Sequence, residues 1–90
     1  DKAAVDIRMS LRLNPKVAHA HYNLGLYYLK VGQYELAIKS LDVAIKKVPF
    51  IGEFFFARGE AYQAWGEHEE EAIRDFRKAH ELGFRVRSKG

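Results

Sequence analysis

Between Ala18 and Val31 the chain places Tyr22, Leu24, Leu26, Tyr28, Leu29 and Val31 so densely that no polar face wide enough for a lone surface helix remains. A helix of that composition needs cover on two sides. From Tyr34 to Val48 the pattern changes. Ala37, Ile38, Leu41, Ala44, Ile45 and Val48 make one apolar stripe, and the i, i+4 pairs Glu35 with Lys39 and Asp42 with Lys46 lie on the opposite, wet side. Gly32, Gly66 and Gly83 stand where a left-handed residue would end a helix. Asn14-Pro15 and Val48-Pro49 stop the alternate helices, because proline cannot continue one. The pattern predicts five helices, over about 2–13, 18–31, 34–48, 52–65 and 69–82, and no segment alternates strictly enough for a half-buried strand.

The pattern also repeats. A shift of 34 places puts Gly25 on Gly59, Tyr28 on Tyr62, Gly32 on Gly66 and Pro15 on Pro49. The same shift backwards puts Ala37 on Ala3, Leu41 on Ile7 and Ala44 on Ser10, so the N-terminal segment reads as the second half of an earlier unit. One extra residue follows Gly66. With it allowed for, Ala72, Phe76 and Ala79 reproduce the spacing of Ala37, Leu41 and Ala44. The expected organisation is a second helix of a partial unit over 1–15, a complete unit over 16–49, a second unit over 50–83 and a basic tail over 84–90. Gly25 with Ala44, and Gly59 with Ala79, are small residues where helix axes would approach closely, with the larger Tyr28 and Leu41 filling the space beside them.

Composition narrows the chemistry. Ninety residues, 48% of them hydrophobic, suffice for one domain with a core, and the opening on Asp1 suggests a piece of something longer. There is no cysteine, which removes disulfides, thiolate metal sites and cysteine nucleophiles together. No apolar run approaches a membrane span, and the expectation is a soluble chain with no compartment fixed and the cytoplasm as default. The net charge of +3 divides into +4 over residues 1–50, −4 over 51–84 and +3 over 85–90, so no positive stripe runs from end to end. His19 and His21 are two apart on a helix and point to different sides, which excludes them as a helical metal pair. Glu67, Glu69, Glu70 and Glu71 fall at the start of the last helix, where negative charge meets the positive end of the dipole. No nucleophile, phosphate-loop or metalloprotease pattern occurs, so no catalytic residue, metal or cofactor is expected and the chain reads as a non-enzyme.

These residues resemble the tetratricopeptide repeat, with its period of about 34 and its signature W-x2-L-G-x2-Y, A-x3-F, P. In the first complete unit Leu24-Gly25, Tyr28, Ala37, Leu41 and Pro49 occupy signature places, with His21 at the tryptophan. In the second, Phe55, Gly59, Tyr62, Ala72 and Phe76 fit, Arg58 replaces the leucine and Phe84 the proline. The resemblance implies an all-α fold, a right-handed superhelical array of antiparallel helix hairpins with about two and a half repeats.

It also implies a concave groove lined by the first helix of each unit. Here those residues are His19, Tyr22, Asn23, Leu26, Leu29 and Lys30, then Glu53, Phe56, Ala57, Glu60, Gln63 and Ala64. Successive helical residues turn by ~100°, so Phe54, Phe55 and Phe56 cannot all share one buried direction. Phe56 is the expected groove aromatic, with Tyr22 and Leu26 as apolar neighbours. Some family members grip a partner's terminal carboxylate with basic residues; Asn23 matches one such place, but Glu53, Ala57, Tyr22 and Leu26 do not supply the rest. The mixed groove, with Lys30 at one end and Glu53 and Glu60 at the other, favours a peptide with apolar anchors and some positive charge. The expected function is therefore a scaffold binding a peptide or partner domain. Stacking of identical chains through open ends is the alternative, and RNA binding is disfavoured because Lys30 and Arg58 are the only Lys or Arg side chains on the groove-lining helices.

Overall fold

A computed structural model of the chain describes residues 15–84. Four helices make up this stretch: α1 (Pro15–Lys30), α2 (Tyr34–Lys47), α3 (Gly52–Trp65) and α4 (Glu69–Glu81), with no strand among the described residues. The helix expected over 2–13 and the basic tail from Arg85 onward lie outside the described residues. α1 starts three residues earlier than the pattern predicts. Pro15, read as a stop for the preceding helix, also opens the next one, where its missing N–H and fixed φ cost nothing.

Consecutive helices pack in turn, α1 on α2, α2 on α3 and α3 on α4, while α1 also touches α3. The hairpin turns follow from glycine. Gly32 and Gly66 adopt φ of 84° and 85°, a left-handed conformation that strains any residue with a side chain. At the first turn the Gln33 N–H donates to the Tyr28 carbonyl at 2.8 Å and the Gly32 N–H to Leu29 at 3.2 Å, which satisfies the last carbonyls of α1. At the other end of α2, Val48 is extended and Pro49 follows.

Two buried clusters hold the hairpins together. One contains Ala37, Ile38, Leu41, Ala57 and Ala61, with Leu26, Leu29 and Trp65 packed against it. The other contains Ala18, Ala44, Val48 and Phe54, with Tyr22, Ile45 and Ile51 alongside. The helix crossings use the same device twice. A Cβ on Gly25 would stand 2.7 Å from Leu41 Cγ and 3.2 Å from the Ala37 carbonyl oxygen. A Cβ on Gly59 would stand 2.7 Å from Phe76 Cε1 and 3.1 Å from the Ala72 oxygen. The two crossings are 34 residues apart on the glycine side and 35 on the other, as the inserted residue after Gly66 requires.

Candidate functional site

The first helices of the two hairpins, α1 and α3, carry all twelve groove residues expected from the sequence, and the structure distributes them unevenly. His19, Asn23, Lys30, Glu53, Glu60, Gln63 and Ala64 are exposed, while Tyr22, Leu26, Leu29 and Phe56 are half-buried. Ala57 is sealed, at 2% exposure, inside the cluster with Leu41 and Ala61. It therefore presents nothing to a ligand and serves as the small residue against which α2 closes.

Tyr22 is met by Phe54 rather than Phe56. Their ring centroids lie 5.1 Å apart, and His19 stands edge-on to both, at 6.0 Å from Tyr22 and 5.2 Å from Phe54. The imidazole is fixed because Nδ1 of His19 donates to the Pro15 carbonyl at 2.9 Å. Phe56 points elsewhere: its ring stacks 5.3 Å from Phe76 and 4.9 Å from Phe84, toward α4 and the turn that follows it. The expected trio of Phe56, Tyr22 and Leu26 is thus not assembled. One ~100° step along α3 separates the residue that meets Tyr22 from the residue facing Phe84, and another separates both from Phe55.

Electrostatics single out the same spot. Burial pushes the Tyr22 phenol above its ordinary range, and the nearby charges of Glu53 and Glu60 push it further. Burial also holds the Glu60 carboxyl above the usual glutamate range. Among the described residues neither Glu53 nor Glu60 has an ion-pair partner. Two uncompensated carboxylates, seven residues apart on one helix face, therefore act on an aromatic shelf built from the helix beside it.

Arg58 does not take part. Its Nε and one terminal nitrogen bind Asp75 of α4 at 2.9 and 2.8 Å, and its other terminal nitrogen binds Asp42 of α2 at 2.8 Å. Burial lowers its basicity, but the hydrogen bonds and charges of the two aspartates outweigh that and hold the guanidinium above its ordinary value. Asp42, expected to pair with Lys46 along its own helix, is turned to this partner instead. Asp75 is buried to 5% exposure. Phe54 and Arg58 are the two residues that sequence reasoning passed over. The signal for Arg58 was its intrusion at an apolar place with an acid 16 residues before and another 17 after.

A model of the tetratricopeptide repeat family matches residues 7–39, a span that takes in α1 and the first turns of α2. The chain carries a tetratricopeptide repeat. Searched against curated proteins and against solved structures, it gives no significant match in either. A repeat of this kind suggests a protein–protein interaction scaffold with protein partners, and the family is typically non-enzymatic. No described helix is long and apolar enough to cross a membrane.

Proposed function

We propose that the protein is a non-enzymatic scaffold that binds a peptide or partner domain along the inner face formed by α1 and α3. The described hairpins, continued by residues 2–13 as the second helix of a preceding partial repeat, form a five-helix, right-handed superhelical array with units over 16–49 and 50–83. The observation that carries the reading is the shelf of His19, Tyr22 and Phe54, with two unpaired carboxylates, Glu53 and Glu60, beside it. Half-buried Tyr22 and Leu26 offer apolar surface at little further cost in side-chain entropy. Asn23, Lys30, Glu53 and Glu60 set register and charge preference, and the aromatic role expected of Phe56 passes to Tyr22 on its Phe54 support. The commitment of Arg58 to two aspartates leaves Lys30 as the one available Lys or Arg side chain beyond the first turn of either helix, which disfavours a phosphate backbone as ligand.

Peptides selected from a random library on the intact chain, then located by amide chemical-shift mapping, test this reading. The expected result is perturbation at Tyr22, Leu26, Glu53 and Glu60, and about tenfold weaker binding by Leu26→Glu with an unchanged thermal melt. Peptides that map outside α1 and α3, or that ignore Leu26→Glu, would reject the inner face as the contact surface.

A further inference from the structure

One helix junction in this molecule serves as a template for reading another. On α2, the residues Ile38, Leu41, Asp42 and Ile45 form an i, i+3, i+4, i+7 stripe, and α3 covers it. Ile38 is 7% exposed and packs with Ala57 and Ala61 of α3, while Asp42 is bound by Arg58 of α3. The covering helix thus supplies a small residue, a charge of opposite sign and, three residues later, a second small residue.

The same stripe recurs on α4, 35 residues later, as Ile73, Phe76, Arg77 and His80. Nothing described covers its outer side: Ile73 is 55% exposed, where its counterpart Ile38 is nearly sealed, and Arg77 and His80 are exposed as well. Among the described residues Arg77 has no ion-pair partner, nor does Arg74 one turn before it. The charge at the pairing position has changed sign, from Asp42 to Arg77.

We propose that this outer face of α4 docks an amphipathic helix of another polypeptide, one that presents small residues to Ile73 and a carboxylate to Arg77. The proposal concerns a surface separate from the inner face and stands whether or not that face binds peptides. A second copy of this chain does not fit. The places of Ala57, Arg58 and Ala61 are held on its own α1 by Asn23, Leu24 and Tyr27. Tyr27 would overfill the space Ile73 needs, and Leu24 would strip water from Arg77 without giving it a counter-charge.

Titration of the intact, isotope-labelled chain with a peptide copy of residues 52–65 carrying Arg58→Glu tests this, with the unsubstituted peptide as the like-charge control. The substituted peptide is expected to shift the amides of Ile73, Phe76, Arg77 and His80 and to bind about tenfold more tightly than the control. In a chain carrying Arg77→Glu, whose thermal melt should match the parent because the site is exposed, the preference reverses. Ile73→Asp weakens both peptides, and Leu26→Glu changes neither. Equal affinity for the two peptides, or shifts confined to other helices, would overturn the proposal. So would self-association of the free chain that Ile73→Asp removes, since the occupant would then be a second copy.

Discussion

Gly25 and Gly59 show how much a single hydrogen atom decides at a helix crossing. Alanine is the better helix former by about 1 kcal/mol, yet its methyl at Gly25 would lie 2.7 Å from the branch point of fully buried Leu41. The steric term wins: Gly25→Ala should lower stability in urea by about 1–3 kcal/mol net, and a stabilised variant would show that the crossing can open. Glu60 makes the opposite case. Because burial raises its carboxyl pKa, the native chain binds that proton more readily than the unfolded one, and stability falls as pH rises through the window just above the ordinary glutamate range. Glu60→Gln should therefore gain stability at pH 7, by about 0.5 kcal/mol at most since the residue stays largely exposed, and gain nothing below that window. Parallel melts at pH 7 and pH 3.5 would check both signs. The glycines were legible from the sequence because their phase repeats. The partner of Tyr22 was not, because three consecutive phenylalanines differ only in direction, and the side of α3 that faces α1 is decided by both helices together.

At the scale of the element, Arg58 replaces packing with charge. In the repeat signature the place is leucine, and here a guanidinium joins α2, α3 and α4 through one side chain. Removing it leaves Asp75 buried and unpaired. Arg58→Leu should therefore destabilise the chain by roughly 2–4 kcal/mol although it restores the signature residue. Arg58→Leu with Asp75→Leu should recover most of that loss, since an apolar pair of similar volume needs no counter-charge. Equilibrium unfolding of the single and double variants measures the difference, and additive losses would mean that the pair is not coupled. Helix number, order and turns within the described residues followed from periodicity and glycine placement alone. The triad did not, because its three members sit on different helices, and i, i+4 spacing drew attention to Lys46 as the neighbour of Asp42.

For the whole molecule the telling feature is an apolar stripe that residues 15–84 leave open. Val17, Leu24, Tyr27 and Val31 are all exposed along one side of α1. One repeat further on, the same places hold Ile51, Arg58, Ala61 and Trp65, which are buried or half-buried, and Ile51, Ala61 and Trp65 join the clusters that α2 supplies. Shifted back by 34, the covering residues Ile38, Asp42 and Ile45 become Ala4, Arg8 and Leu11. The sizes trade places: Ile38 against Ala61 becomes Ala4 against Tyr27, and the ion pair of Asp42 with Arg58 becomes Arg8 beside Leu24, whose surface the arginine stem can line. If residues 2–13 are the missing half-repeat, a chain cut to 15–84 loses this cover. Full burial of a side chain such as Leu24 is worth about 1.5–3 kcal/mol, partly offset by the ordering of the covering segment. The cut chain should therefore unfold about 2 kcal/mol more easily and, at high concentration, associate through the bare stripe. Leu24→Lys distinguishes the causes. It should return the cut chain to a monomer in sedimentation, yet destabilise the intact chain by placing a charge beneath its cover. A cut chain that stays monomeric at full stability would mean that residues 2–13 do not pack on α1, and the array would then begin at Pro15.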